Sequence, residues 1–379
     1  MKLDFLLTPA AKVALGALLL ASLVSCSSGP DKLKPTELAP NAGLLGVRLA
    51  WTSKMGPVDF ALSVKVNGHE VALASSDGSV AAFDAGSGAA LWRTHVGGQI
   101  AAGVGSDGHF AAVVTRANEL VVLESGREIW RQKLSAQSFT APLVAGARVF
   151  VLAADRSVTA FDGRSGRKLW SQQRPGESLV LRQAGVLLAV GDTLVVGLSG
   201  RLVGINPANG SVRWEAPIAS PRGTNDIERL VDLVGPVSRA GDVVCARAFQ
   251  AALGCVNAAR GNLLWTKPAL SALGVAGDDN QVFGVESDDK IVAWRRSDGE
   301  RAWVSELLLY HGLSAPVVVG RSVVVGDGKG LVHWLSRADG SALTRLATDN
   351  SAIQTAPVVA AGTLVVVTRN GGIFGFKPD

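Results

Sequence analysis

A short motif recurs along the chain at a nearly fixed interval, and that interval restricts the folds available to it. The unit is a hydrophobic residue, usually Asp or Asn, three residues, Gly, three more and then Trp. It reads FDAGSGAALW to Trp92, FDGRSGRKLW to Trp170, INPANGSVRW to Trp214, VNAARGNLLW to Trp265 and WRRSDGERAW to Trp303. A shortened copy, LESGREIW, ends at Trp130, and LSRADGSALT puts Thr344 where Trp is expected. Trp51, in VRLAWTSKMG, stands alone at the equivalent place near the start. The mean period from Trp51 to Thr344 is about 42 residues, a length typical of solenoids, propellers and arrays whose units bury their faces only against neighbours.

The segments between the motifs select strands. TAPLVAGARVFVLAADRSVTAFD (140–162), SAPVVVGRSVVVGDGKGLVHWLS (314–336) and TAPVVAAGTLVVVTRNGGIFGFK (355–377) match one another. Each holds two β-branched runs joined by a turn, and turn pairs such as Asp77-Gly78 and Asn370-Gly371 are strong hairpin signals. Four strands of about five residues with their turns fill roughly forty residues, which is one propeller blade. No stretch has the pattern of an amphipathic helix. The chain is therefore expected to be all-β, an eight-bladed β-propeller of four-stranded antiparallel blades. After Thr344 only three strands remain, to residue 377, and the strand around Trp51 has no blade before it. Pairing that strand with the last three closes the ring and leaves no open sheet edge; seven blades is the alternative count. Trp51, Trp92, Trp130, Trp170, Trp214, Trp265 and Trp303 are expected to pack across the seams between blades, the alternative being that they line a ligand site.

The chain starts with a different kind of signal, in ALLLASLVSCSSGP (17–30). Lys2 supplies a positive n-region, and residues 13–25 form an apolar run too short to span a bilayer. Ser25 then precedes Cys26, as a small residue does at a signal-peptide cleavage site. The tetrad Leu23-Val24-Ser25-Cys26 resembles the bacterial lipobox, whose thiol receives a diacylglycerol and becomes the new N-terminus. The plainer alternative is an ordinary secretory signal with an incidental cysteine. Ser27 stands where a lipoprotein retained at the inner membrane carries Asp, which points to the outer membrane and its periplasmic face. Residues 27–42 lack periodicity and contain three prolines, as a spacer does. The expected organisation is a cleaved lipoprotein signal peptide at 1–25, a lipidated flexible tether at 26–42 and the propeller at 43–379. A net charge of +5, spread along 379 residues, argues against a dedicated nucleic-acid surface.

The Trp-marked repeat resembles the tryptophan-docking motif of the pyrroloquinoline-quinone (PQQ) dehydrogenases. With a lipobox ahead of eight such repeats, the chain is more similar to the BamB family, the lipoprotein subunits of the outer-membrane β-barrel assembly machinery. ESLVLRQ (177–183) falls where that family has a Leu-x-Leu-Arg loop, and TNDIERLVDLVGPV (224–237) resembles its Glu-Ile-Asp-Arg-Leu-x-Asp segment. VVVGDGKGLVHWLSRADG (323–340) resembles the Val-Val-Gly-Asp…His-Trp stretch of a late blade. The resemblance runs from Cys26 to near the C-terminus. It implies a non-enzymatic scaffold without cofactor that supports folding and insertion of outer-membrane β-barrel proteins. Leu179, Leu181 and Arg182 would contact the periplasmic POTRA repeats of the barrel-inserting subunit (BamA), and Asp232 matches the first acidic residue of the second loop. The family's second acidic position is Val234 here. Unfolded barrel precursors are a further expected partner.

Spacing singles out the same region independently. Between Trp170 and Trp214 the interval is 44 residues, and between Trp214 and Trp265 it is 51, against 38 to 41 elsewhere. Blade strands cannot lengthen much, so the surplus is assigned to connecting loops, where binding residues concentrate. Arg182 could instead pair with Asp232 inside the propeller, and Leu179 and Leu181 could be inward-facing strand residues. Cys245 and Cys255 fall in one expected hairpin, where a disulfide depends on a register open by one residue. The histidines at 69, 95, 109, 311 and 333 show no metal-ligand spacing. No nucleophile lies near a base in motif form. The alternative function is a PQQ-dependent periplasmic dehydrogenase, which needs a quinone, a calcium site and a catalytic carboxylate.

Overall fold

Runs such as EVALA (Glu70–Ala74) and TLVVV (Thr363–Val367) are apolar at consecutive positions, so strands made of them must be covered on both faces. In the computed structural model, which describes residues 33–174 and 179–379, they are the middle strands of radially packed sheets, buried almost throughout. Among the described residues thirty-two strands form eight four-stranded antiparallel sheets, and the chain is an eight-bladed β-propeller. Blades 1 to 7 cover residues 65–95, 100–133, 143–173, 187–217, 233–268, 275–305 and 317–347, each sheet following the chain from the inside outward. The innermost strands are short, as at Lys65–Asn67 and Leu143–Ala145. Outer strands such as Ala90–His95 alternate between exposed and half-buried residues.

Blade 8 takes its three inner strands from 358–378 and its outer strand from Val47–Lys54. The register runs from Val47 opposite Pro378 to Lys54 opposite Gly372. The expected closure by the strand around Trp51 is thus observed, and no sheet edge at the seam is left open.

The outermost strand of each blade carries a β-bulge just before the motif position, so that two residues oppose one on the third strand. Ala82 pairs with Trp92 while Phe83 pairs with Ala90, which leaves Leu91 unpaired, and corresponding shifts recur in the other blades. Each Trp ring then lies flat on a glycine in the last turn of the next blade. The pairs are Trp51 with Gly88, Trp92 with Gly126, Trp130 with Gly166, Trp170 with Gly210, Trp214 with Gly261, Trp265 with Gly299 and Trp303 with Gly340. These glycines have φ between +70° and +80°, and a Cβ on any of them would fall 2.4 to 3.1 Å from a Trp atom. Five indole N–H groups donate to backbone carbonyls of the same turns: Trp51 to Ala85, Trp130 to Gly163, Trp170 to Pro207, Trp265 to Arg296 and Trp303 to Arg337, at 2.7–2.9 Å. At those five seams ring and hydrogen bond together fix both register and distance.

The expected tether ends earlier than residue 42. Thr36–Asp379 form one unit, in which Leu38 packs against Leu308, Leu313 and Leu335, and the Asn41 amide bonds to the backbone of Arg345. A spacer composition did not reveal this, because a leucine and an asparagine at 38 and 41 form no periodic pattern. Of the residues before Thr36, Leu33, Lys34 and Pro35 are described and are exposed.

The docking geometry separates two kinds of glycine. Gly261 (φ +75°) faces Trp214, whereas Gly241 (φ +55°) has nothing within 4 Å of a would-be Cβ. Both changes to Ala carry the left-handed strain. Gly261→Ala should cost about 1–3 kcal/mol more than Gly241→Ala, the overpacking range, as read from denaturant unfolding of the two variants side by side.

Candidate partner-binding surface

In this ring the last-turn glycines and their tryptophans sit at one end, and the connectors that lead from one blade to the next sit at the other. Both long insertions are such connectors, 174–186 between blades 3 and 4 and 218–232 between blades 4 and 5. They lie side by side at the connector end. Glu177 and Ser178, like Cys26, fall outside the described residues.

Asp232 joins the two connectors. Its Oδ2 accepts the Leu181 backbone N–H at 3.0 Å, and its Oδ1 accepts Arg156 Nη1 at 3.1 Å. Arg156, in a turn of blade 3 with φ +62°, also donates through Nη2 to the Leu179 carbonyl at 3.1 Å. The Asp232 carbonyl accepts the Phe249 N–H from blade 5. Asp232 therefore ties blade 3 and the first connector through its carboxylate and blade 5 through its backbone carbonyl, and its ion pair is largely buried, with side-chain exposures of 7% for Arg156 and 17% for Asp232. The partner considered for Asp232, Arg182, is not the one it has. Arg182 instead lies over the Phe139 ring, 5.5 Å from its centroid, with its side chain exposed at the mouth of the axial channel.

Leu179 is in no strand and is 39% exposed, so it is a surface residue of the connector. Leu181 is half-buried and lines a small cleft with Phe139, Leu152, Leu198 and Val234; it wedges the loop in place more than it presents a face. The second connector contains one helical turn, in which Glu228 accepts the Thr224 N–H and Asn225 Oδ1 accepts the Glu228 N–H. Those contacts, the Thr224 N–H first among them, hold the Glu228 carboxyl below its usual range. At the tip Ile227 is 75% exposed. Sequence reasoning did not single out Ile227, although an isoleucine among Asp, Glu, Arg and Asn in an inserted loop was a usable signal.

Val234 is 1% exposed and stands directly opposite Arg247 on the neighbouring strand. An acid there would face the blade interior, so the Val234 departure bears on packing and not on the outward electrostatics expected of it. Arg247 is fully buried; desolvation lowers its pKa, and Glu286, whose Oε1 it meets at 2.9 Å, opposes that.

The other expected sites resolve as follows. Cys245 and Cys255 are direct cross-strand partners, 4.0 Å apart at Cα, and are joined as a disulfide. His311 and His333, from separate segments, converge on Asp327, which is fully buried and accepts His333 Nε2 at 2.9 Å. Among the described residues no group of three or more His, Cys, Asp or Glu side chains has metal-holding geometry. The axial channel is lined mainly by apolar and small residues of the inner strands, with Lys65, Arg182, Arg239 and Arg369 as its cations. Among the described residues its one lining carboxylate, Asp59, faces Arg369 at 3.5 Å. That lining does not fit a calcium-bound quinone, since calcium takes roughly six to eight oxygen ligands.

Comparison with known proteins agrees with this geometry. Residues 76–305 match the family model described as outer membrane protein assembly factor BamB. The outer membrane protein assembly factor BamB of Burkholderia pseudomallei is 37% identical over 374 residues, covering 97% of this chain and 98% of that relative. The crystal structure of BamB from Moraxella catarrhalis superposes with a TM-score of 0.79 at 23% identity, covering 87% of this chain and 99% of that one. The quinohemoprotein alcohol dehydrogenase of Comamonas testosteroni shares the fold, with a TM-score of 0.68 at 14% identity over 89% of this chain and 77% of that one. The match over nearly the whole length, together with eight blades joined by seven tryptophan contacts and two enlarged connectors, places the chain in the outer membrane protein assembly factor BamB family.

Proposed function

We propose that the chain is a non-enzymatic scaffold of outer-membrane protein assembly, held on the periplasmic face of the outer membrane by lipid on Cys26. Its partner is the POTRA region of the barrel-inserting subunit, met through the connectors 179–183 and 218–232. The observation that carries this reading is the joining of the two insertions through Asp232. Leu179, Arg182 and Ile227 are exposed on these connectors. A charged guanidinium supported by an aromatic ring and flanked by aliphatic side chains is a composition typical of small interface hot spots. Because Leu179, Leu181 and Asp232 are already hydrogen-bonded to one another and to blades 3 and 5, binding would spend little on ordering that part of the surface.

Binding of residues 27–379 to the isolated POTRA repeats tests the assignment. Arg182→Glu should weaken binding by at least about tenfold, the loss of roughly 1.4 kcal/mol, with the circular dichroism spectrum unchanged. Unaltered binding would move the interface elsewhere, and no binding by the unmodified protein would remove the reading.

Asp232→Ala probes positioning. Losing hydrogen bonds to a charged group should cost about 1.5–3 kcal/mol, and hydrogen exchange at the Leu181 amide should rise above that of amides in blades 1 and 2. POTRA binding should fall less than for Arg182→Glu, since Asp232 acts through the loop.

A further inference from the structure

Residues 36–46 run along the outer edge of blade 7 as an added strip of chain. At the connector end, the Thr36 N–H donates to the Leu309 carbonyl at 3.1 Å and its hydroxyl donates to the Leu307 carbonyl at 2.9 Å. The Thr36 carbonyl accepts His311 Nε2 at 2.9 Å. His311 is buried, with the Asp327 carboxylate 3.8 Å from its Nδ1. Leu38 then packs among Leu308, Leu313 and Leu335. Further along, the Asn41 side chain both donates to and accepts from the Arg345 backbone, at 3.1 and 3.0 Å, as a paired strand residue would. The Leu44 N–H donates to the Leu343 carbonyl at 2.8 Å, and Leu44 lines a groove with Arg321 and Ala338 at the tryptophan end. The strip thus passes from the connector end to the tryptophan end before Val47–Lys54 turns back as the outer strand of blade 8.

From this path we infer that residues 36–46 are a clasp that fixes where the lipid anchor leaves the propeller, at the connector end beside blade 7. The inference rests on Cys26 being the lipid site. Ten residues, 26–35, separate that cysteine from the clasp, and whatever their conformation they span at most about 35 Å. With the propeller turned over, the chain would have to run back down a blade, and seven or eight strand residues already cover about 25 Å. Too little would remain to reach a bilayer around the rim. The connector end therefore faces the membrane, and the tryptophan end faces the periplasm. The surface bearing Leu179, Arg182 and Ile227 is consequently presented to a partner seated at the membrane surface, and the clasp contributes to that interaction without touching the partner.

The test uses the full, lipid-modified chain in phospholipid vesicles that carry an acceptor dye on a lipid headgroup. With the Cys26 thiol carrying the diacylglyceryl group in the lipid-modified chain, and Cys245 and Cys255 bonded to each other, one added cysteine is the single thiol open to a donor dye. Lys329→Cys marks the connector end of blade 7 and Ala338→Cys its tryptophan end; both positions are exposed. Several-fold greater energy transfer from position 329 is expected. Inserting about twenty Gly-Ser residues after Ser27, which adds roughly 25 Å of reach, should abolish the difference. Equal transfer from both positions in the parent chain, or more from 338, would overturn the orientation. Palmitate incorporation at Cys26, followed in the same samples, separates the two failures. A chain without palmitate that stays off the vesicles removes the anchor and the orientation with it. A palmitoylated, vesicle-bound chain with equal transfer removes the orientation alone.

Discussion

The contact on which the rest of the molecule depends is a tryptophan ring lying on a glycine of the next blade. Glycine and tryptophan are four residues apart in all the copies from Gly88-Trp92 to Gly299-Trp303. Each repeat therefore accepts a ring from the preceding blade and passes its own ring to the following one. The glycine needs φ near +75° and no Cβ, while the tryptophan needs the bulge that turns it toward the seam. A one-residue change between that glycine and its tryptophan would disturb both contacts at once. The shortened copy LESGREIW keeps this four-residue spacing and still docks both rings, and the surplus length of this chain lies in the connectors at the other end.

The connector end carries no such periodic lock and is organised by carboxylates. Asp232 takes the Leu181 N–H and Arg156, Glu286 takes the Leu270 N–H and Arg247, and Asp289 takes the Gly312 and Leu313 N–H groups. Asp327 accepts the Lys329 and Leu331 N–H groups and the His333 ring. Hydrogen bonds to an ionised oxygen are stronger than neutral ones, so each offsets part of the entropy of ordering a loop that has no sheet to join. These connectors can then act as a fixed surface, which a loop left to itself would not provide.

This division explains which features could be read from the sequence. Strand runs, blade count, closure by the strand around Trp51 and the location of the two insertions follow from one period, and a period is a one-dimensional property. Contacts across blades are not. Arg156 meets Asp232 across 76 residues with no local pattern to announce it, and Arg182, the nearer guess in sequence, stacks on Phe139 instead. The inward face of Val234 depended on a strand register that the pattern left open. His311 and His333 meet at Asp327 only because a connector and two strands of blade 7 converge there. Leu38 and Asn41 look like spacer residues because their partners lie about 270 and 300 positions away.

The one repeat without a tryptophan follows from the same constraint. A ring at Thr344 would need a glycine turn between the third and fourth strands of blade 8, but those strands come from opposite ends of the chain and no turn joins them. The seam between blades 7 and 8 is filled in another way, with Leu45 and Val47 packed beside Leu343 and Leu346, and Trp334 set edge-on to Phe376 at 5.6 Å. The chain that supplies Leu45 and Val47 is the continuation of the strip held by Leu38 and Asn41. Closing the ring with an N-terminal strand thus removes one docking site and brings residues 36–47 to the place where it is missing. The segment that seals the last seam is also the segment that leads toward Cys26, so ring closure and the direction of the anchor are set by the same stretch of chain.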